Sequence, residues 1–351
     1  MAFSSPAPFP NFPPNLPTIQ LPTLSLSKLV AEDEDETKRL FNTCISTGVF
    51  LLELQSSQEG LSLIKQVDDM FQLGERIFKL GMEEKLRYSM LNGTVLGYKG
   101  AGIGRIDAKG TPDRCEFWCM GKDDVLGIVP ALPAPEVVSS HRSLYADLAR
   151  SCHSLSMTVL DCLETQLGLS RGTFRACHRI EQPSSDQSRQ ICYLPQPEGD
   201  RRTSLVPHTD YGSVTILFNI LGGLQVLPEG KAAEEENWLW VRPSPNCAII
   251  NLGDAMVKFT NGLLKSPMHR VMYAPGEQAN LTRYSLAYFT RPEDQCLMKS
   301  LKGSAMISKL NSEDEEVGVT AGEWVRTRVR AAQVQVDQHA RFPKWATKGL
   351  K

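Results

Sequence analysis

Val206-Pro207-His208-Thr209-Asp210-Tyr211 sets a histidine two residues before a carboxylate. On an extended strand, residues i and i+2 share a face, so the imidazole of His208 and the carboxylate of Asp210 aim at one point. His269, in Ser266-Pro267-Met268-His269-Arg270-Val271, is a third donor of suitable chemistry. Two imidazoles and one carboxylate on one side of a metal leave its other positions open. That donor set suits Fe(II), and it suits zinc as well. Farther on, Arg283 and Ser285 are again i and i+2 on one face. A guanidinium fork beside a hydroxyl matches a carboxylate through parallel hydrogen bonds. Each pair alone is ordinary strand decoration; an Arg-x-Ser shortly after the third donor is what makes the set informative.

These residues need strands to hold them. From Gln190 onward, short apolar runs alternate with turn signals every 8–12 residues. The candidate strands are Gln190–Leu194, Val214–Phe218, Leu224–Leu227, Trp238–Val241, Ala248–Asn251, His269–Tyr273 and Arg283–Thr290. Gly222-Gly223, Pro228-Glu229-Gly230, Pro243-Ser244-Pro245-Asn246, Gly253-Asp254 and Pro275-Gly276 supply the turns. About eight such strands suit a double-sheet jelly roll with room for a ligand inside. Along Arg283–Thr290, Ala287 and Phe289 continue the face of Arg283 and Ser285, while Tyr284, Leu286 and Tyr288 take the other.

The first half of the chain reads as helical. Residues 1–27 are proline-rich, and Leu16–Leu24 is a candidate edge strand. An acidic start at Glu32–Glu36 opens a helix through Leu40, Phe41 and Cys44 that stops at Gly48, before the short strand Val49–Leu52. Ser56 with Glu59 has the form of a capping box, ahead of an apolar stripe through Leu61, Ile64, Val67, Phe71 and Phe78. Met82–Leu86 reads as a charged turn. Leu91–Gly110 is glycine-rich but matches no phosphate-binding pattern, and is expected to rim a pocket. Cys115–Met120 reads as a strand and His141–Leu169 as a long helix ending at Gly168. His153 and His178 read as packing residues. Asn311–Glu316 reads as an exposed acidic segment, and Thr320 with Glu323 caps a last helix.

The totals exclude several classes. With 351 residues, 41% hydrophobic and 22% charged, the chain is globular. A net charge of -2 without a dense basic block gives no nucleic-acid surface. No apolar run reaches the roughly 18 residues that a membrane span needs, and the N-terminus has no secretory pattern. Nine scattered cysteines, an odd number, read as reduced thiols in the cytoplasm.

In order, His208-Thr209-Asp210, Gly222-Gly223-Leu224-Gln225-Val226, Asn251-Leu252-Gly253-Asp254, Asn261-Gly262 to His269-Arg270-Val271, and Arg283-Tyr284-Ser285 resemble the 2-oxoglutarate- and Fe(II)-dependent oxygenases. The similar branch contains isopenicillin N synthase and the plant flavonoid and gibberellin oxygenases. Thr47-Gly48-Val49-Phe50, Met82–Leu86 and Gly97-Tyr98 extend the resemblance over residues 16 to 335.

The resemblance implies a mainly β fold with flanking helices (α+β) around a jelly-roll core. Its parts would be a disordered proline-rich leader (1–15), a helical N-terminal region (16–180), the core (181–300) and a C-terminal helical segment (301–351). It implies Fe(II) on His208, Asp210 and His269, with 2-oxoglutarate as co-substrate, its far carboxylate on Arg283 and Ser285, and O2 as oxidant. The outcome would be hydroxylation, desaturation or ring closure at a C–H bond of a small molecule, in a biosynthetic pathway for secondary metabolites. Relatives often carry Asn-x-Tyr on the strand before the first histidine; here that stretch is Cys192-Tyr193-Leu194-Pro195, which leaves Tyr193 to stand in. Tyr98, Arg105, Phe117 and Tyr211 are the candidate substrate residues, with Arg105 receiving an anionic group. The alternatives are an oxidase that does without 2-oxoglutarate, a zinc hydrolase on the same donors, and a non-catalytic binding protein. Oligomeric state is not legible.

Overall fold

Adjacent residues divide between two environments throughout the main sheet of the computed structural model, and residues two apart share one. The structure describes residues 3, 9–89, 95–107, 109–196, 198–201, 203–308 and 318–337. Its strands are β1 (Thr23–Ser25), β2 (Val49–Glu53), β3 (Gly97–Lys99), β4 (Cys115–Gly121), β5 (Gln187–Tyr193), β6 (Leu205–His208), β7 (Val214–Asn219), β8 (Leu224–Val226), β9 (Leu239–Trp240), β10 (Cys247–Leu252), β11 (His269–Val271) and β12 (Arg283–Thr290). Eight pair in the order β1-β2-β10-β7-β12-β5-β4-β3; a smaller sheet runs β6-β11-β8-β9. The eight strands β5–β12 are the jelly roll expected from the turn spacing.

One face of the main sheet is largely apolar across its central strands. Ile216, Phe218, Ile250, Leu252, Leu286 and Tyr288 are each at most 1% exposed. They pack with the helices Gln58–Phe78 and Arg142–Leu167 into one core. Fully burying one such side chain is worth about 1.5–3 kcal/mol, so this face anchors the sheet to the helices. The intervening residues, including Thr215, Asn251, Arg283 and Ser285, face the smaller sheet, where Leu224 and Val226 pack on Ile249.

The strands expected at Val49–Leu52 and Cys115–Met120 form as β2 and β4 and join the main sheet, with β2 pairing β10 and β4 pairing β5. Both faces of β2 and β4 are largely buried, so they enter the sheet. Several local expectations are corrected. The cap of the helix Gln58–Phe78 is Ser57, whose Oγ accepts from Gly60 N at 2.9 Å, whereas Ser56 meets Ser25 at the surface. Leu61 is accordingly 48% exposed, and the buried stripe runs through Leu63, Ile64, Val67 and Met70. Met82–Leu86 is a short helix rather than a turn, and the glycine-rich segment contributes β3.

The described part of the leader is packed: Phe3 meets Phe218 edge-on at 5.5 Å, and Gln278 Nε2 donates to the Pro10 carbonyl at 2.8 Å. Gly168 ends the long helix with φ 66, the left-handed conformation that glycine adopts without strain. Thr320 and Glu323 form the expected reciprocal cap of helix Ala321–Asp337. The acidic segment Asn311–Glu316, residues 90–94 of the glycine-rich segment and residues 338–351 lie outside the described residues.

Candidate active site

His208 and His269 lie directly opposite each other across β6 and β11. Strand pairing thus brings together two residues far apart in sequence, with ring centroids 4.2 Å apart. Each Nδ1 donates to a carbonyl two residues earlier, His208 to Val206 at 2.9 Å and His269 to Pro267 at 3.1 Å. That places the proton on Nδ1 and leaves the Nε2 lone pairs for a ligand. Both Nε2 atoms face Asp210 Oδ1, at 3.9 Å from His208 and 4.0 Å from His269. One donor atom from each residue lies within 4.8 Å of the other two, which is what a shared metal requires.

Asp210 is turned by a pair that sequence reading missed. Thr215 of β7 and Asn251 of β10 are register partners. Both donate to Asp210 Oδ2, Thr215 Oγ1 at 2.6 Å and Asn251 Nδ2 at 2.8 Å. Oδ1 is left for the metal. Burial alone would raise the Asp210 carboxyl, but the two imidazoles and these hydrogen bonds hold it down at about 2. Burial, reinforced by His269, lowers His208 to about 4. At neutral pH Asp210 is therefore a carboxylate and His208 an unprotonated imidazole, the forms that bind a metal.

Arg283, Ser285 and Tyr193 meet on the inner face of the main sheet. Arg283 pairs with Tyr193 across β12 and β5, and its guanidinium lies 4.5 Å from the Tyr193 ring centroid. Nε donates to the Gly222 carbonyl at 2.7 Å. A Cβ on Gly223, whose φ is +136, would stand 2.9 Å from that Nε, so the glycine leaves room for the guanidinium. Arg283 Nη1 and Ser285 Oγ are buried without a hydrogen-bond partner in the structure. Buried polar groups are normally satisfied; a donor and a hydroxyl left open on one face form a receptor for a carboxylate.

The sequence comparisons agree with this donor chemistry. The family model for the 2OG-Fe(II) oxygenase superfamily matches residues 184–292, and the model for the N-terminal region of non-haem dioxygenases in morphine synthesis matches residues 16–134. A 2-oxoglutarate-dependent dioxygenase of Aspergillus fumigatus is 34% identical over 337 residues, covering 91% of this chain and 87% of that protein. The chain belongs to the 2-oxoglutarate/Fe(II) oxygenase superfamily.

Other members of the superfamily share its fold. Another 2-oxoglutarate-dependent dioxygenase, from Glarea lozoyensis, is 27% identical over 83% of this chain and 85% of its own length. A full-length Neurospora crassa protein, solved with α-KG and thymine, superposes with a TM-score of 0.73 at 22% identity, over 89% of this chain and 96% of that one. A 2OG-Fe(II) oxygenase family protein of Caulobacter crescentus gives 0.72 at 25% identity, over 90% and 99%. In this oxygenase the jelly roll carries His208 and His269 on the smaller sheet and Arg283 and Ser285 on the larger.

The four expected substrate residues separate. Phe117 pairs with Ile191 and lies on the same face of the main sheet as Arg283. Tyr211 follows the ligand Asp210; its carbonyl accepts from Trp324 Nε1 at 3.1 Å, which ties the C-terminal helix to the site. Tyr98 is a correction: it pairs with Trp118, on the opposite face of the sheet, and its hydroxyl bonds Glu116 under the helices. Arg105 is exposed, and Nη1 donates to the Gly102 carbonyl of its own loop at 2.9 Å, so the structure does not bring it to the donors. A third residue that sequence reading missed, Arg189 of β5, lies 4.5 Å from the Phe117 ring centroid. The alternation of β5 alone would have set it on the pocket face.

Proposed function

We propose that His208, Asp210 and His269 hold Fe(II), that Arg283 and Ser285 receive the far carboxylate of 2-oxoglutarate with Tyr193 beneath, and that a C–H bond of a small molecule is oxidised beside them. The observation that carries this reading is the pair of open donors, Arg283 Nη1 and Ser285 Oγ, buried on the face of the larger sheet that looks toward the smaller sheet and its metal donors. Bound Fe(II) with 2-oxoglutarate and O2 supplies an oxidant strong enough for a C–H bond, with succinate and CO2 as the other products.

The chain's own residues do the rest. Val206 and Pro267 carbonyls orient the imidazoles, Thr215 and Asn251 orient the carboxylate, and Gly222 holds the Arg283 fork. The two sheets and the C-terminal helix shield the reacting bond from water. Phe117 and Tyr211 are the substrate residues retained from the sequence reading. Hydroxylation, desaturation and ring closure differ only in where the substrate is held.

A tailoring step in a biosynthetic pathway is supported by the match to the N-terminal model named for morphine synthesis. A cytoplasmic setting is supported by the nine free cysteines, seven of them buried. No helix among the described residues is long and apolar enough to cross a membrane.

The decisive experiment is a substrate screen scored by succinate. Succinate formation that requires both Fe(II) and a substrate, and is lost in Asp210→Ala, supports the reading. Oxygen uptake without succinate favours an oxidase that does without 2-oxoglutarate. Turnover that survives anaerobiosis with zinc in place of iron favours a hydrolase.

A further inference from the structure

Arg189 is a cation without an anion. Its register partners are Ala287 and Cys119, which sets it on the pocket face of β5, four residues before Tyr193. Its guanidinium carbon is 4.5 Å from the Phe117 ring centroid and 5.2 Å from that of Phe289. Nε donates to Cys119 Sγ at 3.0 Å. Burial raises the pKa of that thiol, so it accepts the bond without neutralising the charge. No carboxylate of the described residues lies within ion-pair distance of Arg189.

Three neighbouring cations are answered by carboxylates, and Arg291 by a carbonyl. Lys99 pairs with Asp113, Arg270 with Glu235 at 2.6 Å and Arg328 with Asp254 at 3.3 Å. Arg291 donates from Nη1 to the Ser185 carbonyl, and its backbone N–H donates to Asp186. Asp210 feels Arg189 electrostatically, but its Oδ2 is taken by Thr215 and Asn251 and its Oδ1 faces the imidazoles. A largely buried charge without a partner costs several kcal/mol, a cost that a ligand can relieve.

The two receptors are also distinct. Arg283 stands opposite Tyr193 and Arg189 opposite Ala287, four residues along one strand, or roughly 13 Å at the rise of an extended chain. One small dicarboxylate on Arg283 leaves Arg189 open.

We propose that Arg189 anchors a carboxylate of the molecule that is oxidised, and that the enzyme acts on carboxylate-bearing substrates whose apolar part lies against Phe117 and Phe289. Arg105, a candidate that the sequence offered for an anionic group, donates to the Gly102 carbonyl of its own loop instead. The proposal rests on the assignment of this face as the active site. An arginine flanked by aromatic rings keeps its N–H fork in one orientation, and a fork so held takes a carboxylate by two parallel bonds.

The test uses the full chain loaded with Mn(II) in place of iron and saturating 2-oxoglutarate, so that Arg283 is occupied. Phenylacetate, indole-3-acetate and octanoate are titrated calorimetrically beside phenylacetamide, indole-3-acetamide and octanamide. At least one acid is expected to bind tenfold or more tighter than its amide. Arg189→Gln should erase that preference, and Arg189→Lys should keep it with several-fold weaker binding. The affinity for 2-oxoglutarate should stay within twofold in both variants. Failure of every acid to bind the wild-type protein, equal binding of acid and amide, or a preference retained in Arg189→Gln overturns the proposal. If Arg189→Gln does not fold, the wild-type acid-to-amide ratio and Arg189→Lys decide it. Loss of 2-oxoglutarate binding in the wild-type protein would instead overturn the active-site assignment.

Discussion

Asn251 Nδ2 donates to Asp210 Oδ2 at 2.8 Å, and so helps to turn the other carboxylate oxygen toward His208 and His269. The bond crosses from β10 to the segment after β6. Partners of this kind orient metal ligands and are worth 10–100-fold in metal affinity. Asn251→Ala is expected to weaken Fe(II) binding by about that factor, and Thr215→Ala by a similar or smaller one. Anaerobic metal titration measures both; unchanged affinity in Asn251→Ala would mean that the carboxylate is oriented without it.

His208→Ala, Asp210→Ala and His269→Ala should each abolish turnover and bound iron while the protein stays folded. Iron content after gel filtration, read beside circular dichroism, checks this. Full iron occupancy in any one variant would remove that residue from the ligand set.

Arg283→Ala should raise the 2-oxoglutarate requirement without loss of metal. Hydrogen bonds to a charged group are worth about 1.5–3 kcal/mol, which is roughly 10–150-fold in affinity. Ser285→Ala should cost tenfold or less, as a single hydroxyl. The apparent KM for 2-oxoglutarate at saturating Fe(II) reports both effects. An Arg283→Ala enzyme with the wild-type KM would show that the co-substrate is held elsewhere.

Acid should loosen the metal-free protein through its buried histidines. Burial lowers His178 to about 4, and His153 likewise to about 4. His178 is sealed by bonds to the Phe174 carbonyl and Ser213 Oγ, both at 2.7 Å. The unfolded chain titrates near 6.5, so between about 6.5 and 4 it binds more protons than the fold, and stability falls as pH falls. Asp186 opposes this in part: burial raises it to about 6, so its contribution is greatest in acid and is lost as pH rises through about 6. With His208 of the metal-free protein also lowered to about 4, three histidines outweigh Asp186, so Tm should drop steadily from pH 7 to pH 4.5. His178→Gln should flatten the slope; a wild-type Tm constant over that range would contradict this account.

Much of the site was legible because strands alternate. Arg283 with Ser285 is an i and i+2 pair on β12 whose shared face follows from backbone geometry, whereas Asp210 lies past the end of β6 and is turned toward the histidines by Thr215 and Asn251. The turn spacing after Gln190 was likewise local, and β5–β12 follow it closely. The helical stripe of Gln58–Phe78 was found with its cap one residue early, because Ser56 and Ser57 carry the same hydroxyl and only packing against Leu54 and Ser25 distinguishes them.

Tyr98 shows where local reasoning ends. All three residues of β3 are buried, so polarity does not reveal which face its side chains take. Its pairing with Trp118 decides, and that is a long-range choice. Arg189 is the reverse case: alternation alone assigns its face, but not the want of an anion around it.

The sequence by itself determined the donor types, their order and the strands that carry them, since these depend on composition and on a two-residue period. Only the tertiary structure decided that His269 stands opposite His208, that Thr215 and Asn251 clamp Asp210, and that Arg189 stands between two rings without a counter-charge. Those relationships are set by register between strands distant in sequence, where burial and hydrogen bonding across the whole sheet choose one alignment among several that each strand alone would allow.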